Sequence, residues 1–319
     1  MQMKRSILLG LAVIAAVTGA YFVGRAEVSR PHAAASVGPR GAAAGATDAT
    51  PDFATPPTVI KGGVLPTAGT PLKDIFAKLQ ARANAGDVDA AARLLRDLNQ
   101  CTQLRATQWK NANATDTLTR KSTEGMSAAQ LRTYQMLLDA VELRRQAESN
   151  SLRLCDGVSD AMLDSLVPNI AQAARLGDER ARACYLERGP LYDARSLLKH
   201  PDSIRNYRAA ATSMIDAGLA KGDWRVVDLL QKAYEPGAQG LLAGVVGTDP
   251  ARHYRYLKLY RLGAEQHRVA QLDQQLAATA ANLSLAQRAE ADEWAQTKLR
   301  DFHGPSTHTT PPGWDACEF

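Results

Sequence analysis

Three Gly-Asp pairs, each set inside a helical apolar pattern, limit this chain to few architectures. They stand in "ANAGDVDAAARLLRDL" (Gly86, Asp87), "ARLGDERARACYLE" (Gly177, Asp178) and "LAKGDWRVVDLLQKAY" (Gly222, Asp223). Each has a small or apolar residue three before the glycine: Ala83, Ala174 and Leu219. Each has a small apolar residue four after it (Ala90, Ala181, Val226) and a large one eight after it (Leu94, Tyr185, Leu230). A weaker copy, "YRLGAEQHRVAQL", has Gly263 followed by Ala264. Glycine just past a helix end adopts the left-handed conformation that other residues resist. The aspartate beside it can accept bonds from the free N–H groups of the next helix. Apolar residues at i, i+4 and i+8 place one stripe on that helix. The pairs therefore read as junction caps between helices, not as catalytic acids. The glycines are 91, 45 and 41 residues apart. That spacing predicts helical units of about 40 residues, with a degenerate copy in the first gap.

Other start signals agree. Thr70-Pro71 and Asp249-Pro250 place a cap residue before a proline suited to the first helical position. Ser127 with Gln130, and Ser284 with Gln287, fit capping boxes. Only "LLAGVVGTDP", residues 241–250, suggests a strand, and it reads as easily as a helix end and turn. The fold expected is all-α, a helix-turn-helix repeat array of solenoid type over residues 70–303.

Ahead of that domain, Lys4 and Arg5 precede an uncharged run from Ser6 to Gly24. Nineteen helical residues span about 28 Å, one bilayer core. Residues 1–30 thus read as a membrane anchor or a cleaved signal peptide, and both export the remainder of the chain. Residues 31–69 are rich in Ala, Gly, Pro and Thr without periodicity, so they read as a disordered, flexible linker. Residues 304–319 read as an extended C-terminal tail, tied down by Trp314 or Cys317.

The net charge of +5 suggests nucleic acid until its distribution is considered. Six of 38 basic and three of 33 acidic residues precede residue 71, which leaves 32 and 30 downstream, interspersed. No basic face is singled out, and nucleic acid is not an expected partner.

Four cysteines, Cys101, Cys155, Cys184 and Cys317, lie downstream of the export segment, and an even number there favours disulfides. In a reading where Cys101 ends one helix, helices over roughly 103–121 and 127–153 bring Cys155 back to its level. Cys101–Cys155 is then the favoured pair. Cys184 and Cys317 form a second pair, or Cys184 is a free, buried apolar residue. It occupies the position held by Arg93 and Leu229 in the sister copies. No CxxC pair occurs, and the histidines do not fall at zinc spacings, so no metal or cofactor is expected. No nucleophile elbow, P-loop or HExxH motif occurs, and no enzyme is expected.

The pattern A-x-x-G-x-x-x-A-x-x-x-L/Y at the junctions resembles Sel-one-like repeats, a subclass of tetratricopeptide-type repeats. "DPARHYRYLKLYRLGA" (Asp249, Ala251, Tyr254, Tyr256, Gly263) is similar to their second helix. The resemblance implies protein or peptide binding and scaffolding rather than chemistry. The candidate surface is the aromatic-basic cluster with Arg252, Tyr256 and Tyr260, in which the tyrosines could instead pack between repeats. Trp109, alone in a polar segment, is a second candidate, or folds back on the helix at 127–153. The function expected is a scaffold tethered on the periplasmic side of the inner membrane, or free in the periplasm if the signal is cleaved. The alternative is an immunity or inhibitor protein against an exported toxin or cell-wall-degrading enzyme.

Overall fold

A computed structural model describes residue 60, residues 62–119 and residues 122–319, with side chains placed except at 108–119 and 194–196. The anchor at 1–30 and the linker up to residue 59 lie outside the described residues. Among the described residues the chain is all-helical. Fourteen α-helices follow one another: α1 (Leu72–Asn84), α2 (Val88–Thr119), α3 (Ala128–Cys155), α4 (Asp160–Asp164), α5 (Leu166–Leu176), α6 (Glu179–Glu187), α7 (Ala194–Lys199) and α8 (Ser203–Ala220). Then come α9 (Trp224–Ala233), α10 (Leu241–Val246), α11 (Pro250–Leu262), α12 (Gln266–Ala280), α13 (Leu285–Lys298) and α14 (Ser306–Thr309). The stretch that allowed a strand is α10 and the turn after it. No described helix is long and apolar enough to cross a membrane.

The three Gly-Asp junctions share one geometry. Gly86, Gly177 and Gly222 have φ of 95°, 103° and 69°. At each, the aspartate N–H donates to the carbonyl five residues back (Arg82, Ala173, Gly218) at 3.0 Å. The aspartate side chain then accepts from the next helix: Ala90 N at 3.1 Å, Ala181 N at 2.7 Å, Arg225 N at 3.1 Å. The stripe residues Ala90, Leu94, Ala181, Tyr185, Val226 and Leu230 are all buried. Gly263 differs. Its φ is −87°, and what it supplies is room, since a Cβ there would lie 2.4 Å from the Trp224 ring.

Several expectations are corrected. The first gap holds no further adjacent Gly-Asp pair; α2 and α3, at 32 and 28 residues, take up most of it, followed by α4 and α5. Cys101 does not end a helix, because nothing from Val88 to Thr119 is glycine or proline and α2 runs through it. Thr70 is not a cap. Its hydroxyl turns back to the Thr67 carbonyl, and α1 begins after Pro71 without a side-chain cap. Asp249, Ser127 and Ser284 do cap as read, the serines in full capping boxes. The end of the linker is held down: Ile60 N donates to Gly86 O, and Arg82 donates to the carbonyls of Gly63 and Val64.

The helices bury two cores. The larger takes residues from α1 to α6 and α8 to α10, with Ala316 and Cys317. The second takes residues from α11, α12 and α13, with Phe302. α9 serves both. Val226, Leu229 and Leu230 face the first core, while Trp224 and Val227 face the second. Trp224 lies 4.4 Å from Phe302 between ring centroids, and its Nε1 donates to Gly304 O at 3.0 Å.

Candidate binding face

The residues singled out in the sequence sort into packing and surface. The junction aspartates are structural, and two do more than cap. Asp87 pairs with Arg82 at 2.7 Å, and Asp223 pairs with Arg182 at 3.1 Å, fully buried on both sides. Burial pushes the Asp87 carboxyl up, but the Ala90 N–H and Arg82 outweigh it, and the net direction is down. At Asp223 burial prevails over Arg225 and Arg182, and the carboxyl sits above its ordinary value.

In α11, Tyr260 is a core residue whose hydroxyl reaches Thr310. Tyr256 stacks on Tyr234 at 5.7 Å and meets Trp294 edge-on at 5.3 Å, and burial raises its phenol to about 12. Arg252 lies over the Tyr234 ring and donates to its hydroxyl at 3.1 Å. The tyrosines of this cluster are thus packing, because the helix buries that side against its neighbours, and only Arg252 stays on the surface. The backbone of Trp109 lies in α2; its side chain lies outside the described residues.

Both cysteine pairs are bonded, Cys101–Cys155 with Cα atoms 5.4 Å apart and Cys184–Cys317 at 4.5 Å. Cys184 and Cys317 are buried. Glu187 and Asp315 converge near Cys317, but its sulfur is bonded to Cys184, so the trio offers a metal two carboxylates and no thiolate.

The surface that sequence reasoning missed lies around residues 314–319, which reach α2, α6 and α9, the helices that come after the three junctions. A polar cleft of about 740 Å³ opens at its α2 end, between α2, α3 and the chain terminus. Arg93 grips Asp97 through Nε at 2.9 and 2.7 Å. Burial raises the Asp97 carboxyl, opposed by Arg93 and Arg96. Gln100, Gln103 and Arg153 complete the polar lining, and Gln100 donates to Ser151 across to α3 at 2.8 Å. Tyr192 donates to Asn99 at its base. Past the end of α6 an apolar groove of about 640 Å³ is lined by Leu191, Ile204, Leu241 and Val245, with Arg188 and Arg208. Amides, guanidinium groups and a neighbouring apolar groove suit peptide backbone and carboxylates.

No family model, no curated protein and no solved structure matches this chain.

Proposed function

We propose that this chain is a non-enzymatic scaffold that binds a protein or peptide on the α2–α6–α9 face. The observation that carries it is the recurrence of one junction geometry three times, each time feeding a helix onto that face. In this reading the helices form a degenerate tetratricopeptide-like array, and α9 joins its two cores. Helical arrays of this kind present extended surfaces for partners. The two disulfides and the basic, apolar N-terminal segment support an extracytoplasmic location, tethered to the membrane.

Crosslinking in the cells that make the full chain, followed by its recovery, tests the proposal. A specific protein or peptide partner, lost when Arg93 and Arg96 are both changed to Glu, is the expected result. A folded chain that recovers no partner under those conditions overturns it. Recovery of a secreted toxin or wall-degrading enzyme, with loss of that enzyme's activity, would mark the scaffold as an inhibitor.

A further inference from the structure

The two disulfides lie in different surroundings. Cys184 and Cys317 are 0% and 3% exposed and are closed into the larger core. Cys101 is buried too, but Cys155 is half-buried, and it alone of the four cysteines reaches the surface. Cys101 and Cys155 both line a pocket of about 180 Å³ at the base of the hairpin, with Leu104 and Arg105 of α2, Leu152 of α3 and Leu163 of α4. A second pocket, of about 310 Å³, shares Arg105 and Leu163 with it and is bordered by Asp160, Asp164 and Lys199. Apolar side chains thus surround the bridge, and ion pairs flank the way to it: Arg105 with Asp160, and Lys199 with Asp164.

That arrangement suits thiol–disulfide exchange. The reaction needs access to one sulfur and a leaving thiolate that is stabilised as it forms. Access directs the attack to Cys155, so the sulfur expelled is that of Cys101. Arg105 is four residues on from Cys101 along α2, one helical turn away, and lines the same pocket. Its side chain is half exposed and is held by Asp160. It places a cation on the side of α2 that carries the departing sulfur, and a neighbouring guanidinium favours a thiolate.

We propose that Cys101–Cys155 is an exchange site for a dithiol reductant, and that opening it dismantles the polar cleft. A thiolate of the reductant attacks Cys155 Sγ and bonds to it. The bond between Cys101 and Cys155 breaks, and its electron pair leaves on Cys101 Sγ, which takes a proton from water. The reductant's second thiol, once deprotonated, attacks its own partner sulfur and releases Cys155, which is protonated in turn. The reductant ends as a disulfide and the chain as two thiols. Little else holds α3 at its base. Leu154 is its one buried residue, and the Gln100–Ser151 and Lys73–Asp156 contacts are exposed. Asn150, Arg153 and Leu154 are the α3 wall of the cleft, so a released α3 takes that wall away. The consequence for a partner rests on the binding reading above: the oxidised chain holds it and the reduced chain lets it go.

The test treats the oxidised full chain with dithiothreitol, stops the reaction with iodoacetamide at intervals and maps the labelled cysteines by mass spectrometry. In the native protein Cys101 and Cys155 should be labelled at least about tenfold faster than Cys184 and Cys317. In concentrated urea the two pairs should open at similar rates, because the fold no longer shields either. R105Q should slow the native opening about threefold or more, leaving the rate in urea and the urea midpoint where they were. Reduced glutathione, stopped in acid, should leave its mixed disulfide on Cys155. Hydrogen exchange should then show α3 amides losing protection once the first bridge is open. Equal native rates for the two bridges, or a glutathione adduct on Cys101, overturns the exchange site. An unchanged rate in R105Q removes the part given to Arg105, and unchanged α3 protection overturns the release of the cleft wall. None of these readouts needs a partner. A partner recovered equally by oxidised and reduced chains would sink the switch and leave the scaffold reading standing. A chain that recovers none in either state removes that reading and leaves the exchange site.

Discussion

The α2–α3 hairpin and the packed body around α5, α6 and α9 are both helical, yet they owe their helices to different forces. α5 buries seven of its eleven residues. α3 buries one of 28, Leu154, and leaves Leu131, Met136, Leu137, Leu143 and Leu152 exposed. The hairpin helix is held by local chemistry: the Ser127–Gln130 capping box, residues of high helix propensity, and the Glu142 contacts with Arg145 and Gln146. Its tertiary attachment is concentrated at the base, where Cys101 is bonded to Cys155. In the body, burial decides, and polar groups are tolerated there only when paired, as Arg182 is with Asp223.

The largest break in this contrast should come from R182A. It leaves the Asp223 carboxylate buried without one of its two cations, and urea unfolding should show a loss of about 3–5 kcal/mol. The same change at exposed Arg145 should do almost nothing. Next in size is C101S with C155S. The chain-entropy model assigns a loop of this length about 4 kcal/mol, and removal should cost about 2–4 kcal/mol. Hydrogen exchange should localise the effect, with α3 amides losing protection while those of α6 and α9 keep theirs. If α6 and α9 lose protection equally, the hairpin and body are one cooperative unit.

A smaller effect, about 1 kcal/mol, is expected for D178A, which removes a cap inside the body. The pH dependence of stability separates the two ion-paired junction aspartates. Asp87 is lowered from 3.8 in the folded state. Its contribution is present above that value and is lost as pH falls through the folded one. Asp223 is raised, so its contribution declines as pH climbs from 3.8 through its folded value. Urea midpoints measured between about pH 3 and about pH 6 should lose the acid-side fall in D87N and the opposite slope in D223N. The smallest effect belongs to M136E on the exposed side of α3, within about 0.5 kcal/mol by the same unfolding assay. A larger loss would mean that this side is covered by something.

How much of the structure is legible in the sequence depends on how far each signal extends along the chain. Gly86, Gly177 and Gly222 were legible because glycine and aspartate are adjacent and the stripe repeats. Three further junctions place one residue between a left-handed glycine and its cap: Gly125 with Ser127, Gly157 with Ser159, and Gly247 with Asp249. An alignment on adjacent pairs passes over them, although two of those caps were recognisable alone. The long α2 was hidden by a polar stretch, Asn99 to Thr102, that resembles a helix end but contains no breaker. The tail's route over α9, α6 and α2 has no local period. It joins residues 133 apart in the chain, and only Trp314 and the leftover cysteines hinted at it.

That second disulfide also changes which part of the molecule counts as its edge. Helices that touch mainly their neighbours fray from the outermost one inward. Here Cys317 is fastened to α6, in the middle of the order, so α7 through α14 belong to a closed covalent ring. Opening α13 frees no loose end, and a nick anywhere in that ring leaves two fragments still joined.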